Sequence, residues 1–234
     1  MTPYKFALEH GDNSFEAITL KFASALRPKD FEVKWFKNAE VPSDFIPVGN
    51  IRWVSRFLGY TPKPDHYPDF LQPFLNRNIR LVDDWIVKKD LPCFIKPADK
   101  PKRYKARILK TERNYVRRKG PHWVSSLTSF ENEWRIYVTA GEISYVGWYY
   151  PEHKDDIPCP DEYLEQIQNV IPSGWCGAID IGTTNRGLTL VEAGEPYAMG
   201  WYGSSNEGYI YANWLGVGGD YLKTLNNCNS LLLS

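Results

Sequence analysis

Two acidic residues, Asp180 and Glu192, have a spacing that predicts a divalent-cation site. Two strand-like segments, CGAIDI and LTLVEA, flank a candidate three-residue turn at 185–187 whose last residue is a glycine, which adopts the left-handed conformation readily. This turn pairs Thr184 with Leu188 and, counted outward, places Asp180 opposite Glu192 on one face of the hairpin. Facing carboxylates are unfavourable unless a cation lies between them, whereas a turn shifted by one residue leaves two ordinary surface acids.

The segment ENEWRIYV supplies a second set of polar residues on one strand face. Alternation along a strand puts Glu133, Arg135 and Tyr137 on the side opposite to Trp134, Ile136 and Val138, which have core composition. An acid, a guanidinium and a phenol on one face are suited to a binding site. An ordinary cross-strand ion pair, worth about 0.2–1 kcal/mol, is the competing interpretation.

Lys96 belongs to the apolar segment CFIKP, which a proline ends. The region from Lys96 to Lys119 contains eleven Lys or Arg residues against two acids, in a chain with zero formal net charge. A fixed lysine on a strand, followed by lysines on a mobile loop, suits a polyphosphate, and a divalent ion that bridges phosphates would also explain the acidic hairpin. A solvated basic loop is the alternative for this charge run.

The elements that must position these residues form two groups. The first eighty residues read as a β-α-β unit, then a short strand and the amphipathic segment IRWVSRFLGY. The following residues are rich in strand segments arranged as hairpins, interrupted by the helix DEYLEQIQNVI and closed by a helix around GGDYLKTL. We therefore expect an α+β protein with a small N-terminal α/β lobe, residues 1–83, and a mainly antiparallel-sheet lobe, residues 84–234.

The composition excludes several other classes of protein. With 234 residues, 43% of them hydrophobic and 24% charged, the chain can bury a real core. Its apolar runs are too short for a bilayer span and its start lacks a signal-peptide pattern, which predicts a cytoplasmic protein. The four cysteines and four histidines are scattered, which indicates reduced thiols and argues against a His/Cys metal centre.

These residues in this order resemble the ATP-grasp superfamily, and more narrowly a small, often virus-encoded branch named for one arginine and two lysines. The resemblance runs from about Asp84 to Gly203 and implies an ATP-grasp fold. The strand lysine before proline matches Lys96, the second lysine matches Lys102 with Lys105 as the competing assignment, and the arginine matches Arg135, with Glu133 beside it.

The resemblance also implies a cofactor and a nucleotide-binding hinge. Asp180 and Glu192 match the acids that hold Mg²⁺ against ATP phosphates, but Gly194 stands where many relatives have a metal-binding Asn. Either Glu195 or water could complete the metal shell. The segment that receives adenine corresponds to the residues around Trp123, Val124 and Ser125.

Members of the superfamily typically join a carboxylate to an amine through an acyl phosphate, with release of ADP and phosphate. The resemblance implies catalytic roles for Lys96, Lys102 and Arg135, nucleotide contacts from Lys105 and Glu133, and a loop, residues 97–105, that excludes water. The carboxylate and amine stay unidentified. Further basic residues at 113–119 suit an anionic partner such as an acidic peptide, a nucleotide or a nucleic acid, and no membrane is expected.

Two rival hypotheses stay open at this point. The basic block and nine tryptophans are compatible with a nucleic-acid-binding protein, although aromatic residues in apolar strand patterns are usually core. Gly194 is compatible with an ATP-binding module that has lost catalysis. Arg52 and Arg56 could meet a substrate carboxylate or simply form the polar face of their helix.

Overall fold

A computed structural model describes residues 2–37, 41–61, 65–83, 90–99, 103–111, 120–150 and 157–231. The first lobe contains β1 (Tyr4–Glu9), α1 (Phe15–Leu26), β2 (Phe31–Phe36), β3 (Ile46–Val48) and α2 (Ile51–Leu58). Its three strands are parallel in the order β2-β1-β3. Ser14 caps α1 and Asn50 caps α2 through side-chain oxygens that accept backbone N–H groups, which explains where both helices begin.

The second lobe is built from two antiparallel sheets. One sheet has the order β4-β7-β5-β6, with β4 (Ile79–Asp83), β5 (Cys93–Pro97), β6 (Arg107–Leu109) and β7 (Pro121–Ser126). The other has the order β11-β10-β8-β9, with β8 (Asn132–Thr139), β9 (Glu142–Tyr150), β10 (Gly177–Thr184) and β11 (Gly187–Gly194). The expected alternation in β8 is confirmed, because Trp134, Ile136 and Val138 pack together in one core.

Two α-helices and several short 3₁₀ segments complete the described chain. Helix α3 (Asp161–Gln168) begins after Pro160, as expected, but ends before the predicted stop at Pro172. Helix α4 (Gly208–Leu231) begins well before the predicted GGDYLKTL segment. The 3₁₀ turns cover Asp69–Phe74, Pro196–Ala198 and Ser205–Glu207.

Helix α4 returns the chain to the first lobe. Its residues Tyr211, Trp214 and Leu215 share one buried core with Phe6 and Leu8 of β1. The Trp214 indole donates to the carbonyls of Val138 and Gly177, at 3.1 and 3.0 Å, and so ties this core to the β8-β10 sheet. The two lobes are therefore joined through a continuous core rather than by the connecting segment alone.

The α+β fold class is confirmed, while the division at residues 83 and 84 stays a prediction. Strand β4 precedes that boundary but pairs with β7 in the second lobe. Cys93, Cys159 and Cys176 are free and buried. None of the helices in the described residues combines the length and apolar character required to cross a bilayer.

Candidate active site

Four predicted site residues from three parts of the chain meet in one cluster. The Arg135 guanidinium donates to both oxygens of Asp180, from Nε to Oδ1 and from Nη2 to Oδ2, each at 2.7 Å. The Lys96 ammonium, on the other sheet of the lobe, donates to Oε2 of Glu192 at 2.7 Å. Because Asp180 pairs with Arg135 on one side and with Glu192 on the other, the set spans three adjacent strands.

The hairpin places Asp180 opposite Glu192, but not through the turn that we predicted. Thr184 pairs with Gly187 rather than with Leu188, so the predicted three-residue turn is wrong by one position. Gly187 has the expected left-handed φ of 85°. A β-bulge at Val191 adds one residue to β11 and restores the register, because Ile181 faces Leu190 and the next pair is Asp180 with Glu192.

Arg135 is fixed from several sides. Its side chain is 6% exposed, its Nη1 donates to the Gly200 carbonyl at 3.1 Å, and its guanidinium lies 4.5 Å from the centre of the Tyr202 ring. Burial opposes the charged form, but Asp180 outweighs it and raises the pKa of Arg135. The guanidinium therefore stays charged, and two of its five N–H donors are left for another acceptor.

Lys96 is nearly enclosed, with 6% of its surface exposed and its ammonium 4.5 Å from the centre of the Tyr67 ring. Burial acts to raise the pKa of Glu192, but Lys96 and His66 outweigh it and hold that pKa below its usual value. His66 lies 3.5 Å from the Glu192 carboxylate. Burial and the Lys96 charge lower the pKa of His66 to about 4, so this imidazole is neutral at pH 7.

Glu133 lies on the same strand face as Arg135. Burial raises the pKa of Glu133 to about 7, and the charges of Asp180 and Glu192 act in the same direction. The site thus concentrates negative charge from three carboxyl groups, and a further cation within it would favour their ionised forms.

Three residues that reach this cluster from the segment before β4 were missed in the sequence: His66, Tyr67 and Arg77. Arg77 Nη2 donates to the carbonyl of the bulged Val191 at 2.7 Å, and its guanidinium packs 5.3 Å from the centre of the Phe130 ring. Burial lowers the pKa of Arg77, opposed by nearby acidic groups that include Glu133 and Glu192. A connector without periodicity gave no signal beyond the basic residue type itself.

The remaining lysine assignments are less closely tied to this cluster. Lys102 falls outside the described residues, as does the basic segment at 113–119. Lys105 is exposed and has no ion pair among the described residues. The cation held in this segment is Arg103, which donates to Asp99 and to the Pro121 carbonyl at 2.9 Å each.

Trp123, Val124 and Ser125 lie inside β7, a central strand that pairs with β4 on one edge and with β5 on the other. Their backbone polar groups are therefore used by the sheet, and a backbone contact to adenine requires residues after Ser126. Trp123 pairs with Lys96 and so shares its face, whereas Val124 is buried on the opposite face.

Gly194, where many relatives have a metal-binding Asn, has a packing explanation. A Cβ atom at Gly194 would lie 2.7 Å from the Met199 sulfur, so a longer side chain requires Met199 to move. Glu195 does not replace the missing ligand: burial raises its pKa to about 7 with Asp65, rather than the acid pair, as the charge that adds to this effect. Water is the remaining candidate.

The donor set fits Mg²⁺ but not a metal held by protein alone. In the part of the chain that the structure describes, no three His, Cys, Asp or Glu residues are grouped as a metal site. Mg²⁺ usually keeps several waters and takes one or two carboxylates together with substrate phosphates. Asp180 and Glu192 supply two carboxylates, and an oxygen that already accepts one N–H retains a lone pair.

A family model for an ATP-grasp domain, the second family of its clade, matches residues 74–212. The RimK domain ATP-grasp protein of Sphaerobacter thermophilus is similar in structure, with a TM-score of 0.53 and 14% identity over 93% of this chain and 98% of its own. The D-alanine–D-alanine ligase of Bacillus anthracis, solved with ATP, has a TM-score of 0.53 and 9% identity over 97% of this chain and 99% of its own.

A third solved structure, ATP-grasp ligase PsnB with a minimal precursor, has a TM-score of 0.50 and 11% identity over 92% of this chain and 99% of its own. No curated protein matches the chain. At these identities the structural similarities show the fold alone, which is the ATP-grasp fold.

Proposed function

Because the chain belongs to this family of ATP-grasp domains, we propose that it is an ATP-dependent ligase that joins a carboxylate to an amine. An oxygen of the substrate carboxylate attacks the γ-phosphorus of ATP, and ADP leaves with the electron pair of the broken P–O bond. The amine nitrogen then attacks the acyl carbon of the acyl phosphate. Phosphate leaves, the nitrogen loses a proton, and an amide is formed.

The observation that carries this proposal is the meeting of Lys96 with Glu192 across the two sheets of the second lobe, beside the Arg135–Asp180 pair. Residues far apart in the chain thereby combine two cations with two facing carboxylates. A magnesium-bound triphosphate requires both kinds of group, because its oxygens need positive charge and its metal needs carboxylate oxygens. A purely structural ion-pair network has no need for the facing acids.

Lys96 and Arg135 would neutralise phosphate charge. The Lys96 ammonium has three donors and spends one on Glu192, and Arg135 keeps two N–H groups after its bonds to Asp180 and Gly200. Asp180 and Glu192 would hold Mg²⁺, which when bound supplies positive charge to the phosphate oxygens. The protein's contribution is orientation and fixed charge, without a covalent enzyme intermediate.

The other predicted contacts take more specific roles. Trp123 would pack against the nucleotide, since it shares the face of Lys96, while Ser125 continues that face. Glu133 would ionise as Mg²⁺ binds beside it. We retain Lys102, with Lys105 as the alternative, as the second phosphate-binding lysine, and the loop at residues 97–105 as the cover that excludes water.

The test is Mg²⁺-dependent nucleotide binding, followed by ADP and phosphate release with mixed carboxylates and amines. Lys96→Ala should weaken Mg–ADP binding by about 10- to 100-fold, since it removes a charged hydrogen-bond donor. Lys34→Ala is the matched control, because Lys34 also pairs with an acid, Glu32, but 58% of its side chain is exposed. Equal binding by both variants would contradict the phosphate role of Lys96.

Turnover separates an active ligase from a silent ATP-binding module. Asp180→Asn and Glu192→Gln should reduce ADP release and its dependence on Mg²⁺, because each removes one metal-binding charge. Unchanged turnover in both variants would contradict the metal assignment. The nucleic-acid hypothesis gains no support from the aromatic residues, since Trp53, Trp134, Trp201 and Trp214 are buried and cannot stack on bases.

A further inference from the structure

A cavity of about 310 Å³ lies in the first lobe, at the carboxyl ends of β1 and β3. From β1 the chain passes to β2 on one side, and β3 then pairs on the other side, so the cavity lies where the strand order reverses. Open parallel sheets form crevices for ligands at such positions. Residues 196–200 of the second lobe close the cavity from the other side.

The charged side chains that line this cavity are two carboxylates, Asp12 and Glu16, and none of the lysines or arginines that the structure describes belongs to the lining. Each acid uses one oxygen for a backbone N–H: Asp12 Oδ1 accepts from Ser14 at 2.9 Å, and Glu16 Oε1 accepts from Trp201 at 3.4 Å. The second oxygen of each carboxylate has no protein partner among the described residues.

A second and independent feature is the hydroxyl of Tyr211. This residue lines the same cavity and is 2% exposed, yet its hydroxyl has no hydrogen-bond partner among the residues that the structure describes. Burial raises the pKa of Tyr211, and the charges of Glu16 and Asp12 add to this effect, so the phenol stays protonated. Buried polar groups normally have a partner, which indicates that a ligand group belongs beside this hydroxyl.

The cavity is separated from the proposed catalytic arginine by a single residue. Gly200 lines the cavity, and its carbonyl accepts from Arg135 Nη1 at 3.1 Å and from the Tyr137 hydroxyl at 2.7 Å. A Cβ atom at Gly200 would lie 2.6 Å from Glu16 Oε1, so the absence of a side chain here lets Glu16 approach the wall.

We propose that this cavity binds the amine substrate as its ammonium ion, with Asp12 and Glu16 as the anionic partners and the Tyr211 oxygen as a further acceptor. The inference rests on the proposed ligase function and assigns one of its two substrates to a site. The apolar part of the lining, which includes Val48, Val54 and Leu215, suits a small amine with an apolar body. A carboxylate would face two acids without a cation, which is unfavourable.

The test compares three probes of similar size on the full chain by isothermal titration: L-alaninamide, a cation; propionamide, which is neutral; and propionate, an anion. Alaninamide should bind at least about 10-fold more tightly than the other two, as expected for charged hydrogen bonds. Equal or tighter binding of propionamide or propionate would overturn the proposal, as would the absence of alaninamide binding at millimolar concentration.

Variants then assign the contacts. Asp12→Asn and Glu16→Gln should each weaken alaninamide binding by about 10-fold or more, and Tyr211→Phe by a smaller factor. Glu32→Gln, an acid on β2 outside the cavity lining, should leave binding unchanged. Wild-type affinity in folded Asp12→Asn and Glu16→Gln would overturn the proposal, and the probe comparison on the wild-type chain decides it if either variant fails to fold.

Failure of this inference is distinct from failure of the ligase function. Alaninamide binding is measured without ATP and needs no turnover. Tight amine binding without ADP formation would refute the ligase function and leave the cavity assignment standing. ADP formation that depends on amines, with unchanged kinetics in Glu16→Gln and no alaninamide preference, would refute the cavity assignment alone.

Discussion

The ion pair between Lys96 and Glu192 should respond asymmetrically when either partner is removed. Lys96 is 7% exposed in its side chain and Glu192 is 31% exposed, so the lysine depends more on its partner than the carboxylate does. Glu192→Gln leaves an almost fully buried ammonium with only the Tyr67 ring as compensation, which should lower the free energy of unfolding by about 3 kcal/mol. Lys96→Met leaves a partly hydrated carboxylate and adds apolar contacts, so about 1–2 kcal/mol is expected.

The assay is urea unfolding of the nucleotide-free protein, followed by tryptophan fluorescence, for both single variants and the double variant. Since the two groups contact each other, the double variant should lose less than the sum of the single losses, by about 1 kcal/mol or more. The exposed Lys34–Glu32 pair serves as the control cycle and should show coupling below about 1 kcal/mol. Additive losses for Lys96 and Glu192, or a larger loss for Lys96→Met than for Glu192→Gln, would refute this reasoning.

Three further perturbations test other parts of the fold. Burial raises the pKa of Glu195 to about 7, above its usual 4.5, so the folded protein loses stability as pH rises through that window. Glu195→Gln should remove about 1–2 kcal/mol of this loss between about pH 5 and pH 8, and parallel stability curves would contradict the assignment. Gly187→Ala meets no neighbour within 4 Å but must adopt a φ of 85°, so urea unfolding should show a loss of about 1–2 kcal/mol; an unchanged midpoint would disprove it. Arg77→Lys removes the contact with the Val191 carbonyl and should weaken Mg–ADP binding and lower stability by about 1–2 kcal/mol, whereas the exposed Arg186→Lys should be nearly silent; similar effects of the two would argue against a positioning role for Arg77.

The second lobe could be predicted from the sequence where strand alternation is regular. The apolar residues of β8 identified its core face, and the opposite face then named Arg135 and Glu133. The facing of Asp180 and Glu192 was predicted with the wrong turn, and the bulge at Val191 compensated for the error. A bulge depends on contacts made by distant residues, so local pattern could not reveal it.

Other elements were missed for physical reasons that can be stated. In β4 only Val82 is fully buried, so this edge strand lacks a periodic pattern. The beginning of α4 contains several glycines, which cost about 1 kcal/mol each in a helix and so conceal it. Packing explains them: a Cβ atom at Gly216 would lie 2.5 Å from the Tyr4 ring, and one at Gly219 would lie 2.9 Å from Ile46.

The site residues missed in the sequence, His66, Tyr67 and Arg77, act from a connector whose path is set by tertiary contacts. The Ala193 backbone N–H donates to the His66 carbonyl at 3.0 Å, and the Asn76 side chain donates to the Leu188 carbonyl at 2.6 Å. The connector is thus held along β11, which brings its side chains to Glu192. Such placement follows from the folded hairpin rather than from residue pattern.

The packing of α4 against β1 has a consequence for the order in which the protein can fold during synthesis. Tyr211 and Trp214 fill the core around Phe6 and Leu8, so the first segment to leave the ribosome waits for one of the later segments before its apolar side chains are covered. Until then the nascent parallel sheet exposes this surface to chaperones or to other chains. The cavity at the end of β1 is also incomplete during this interval, since Tyr211 forms part of its wall.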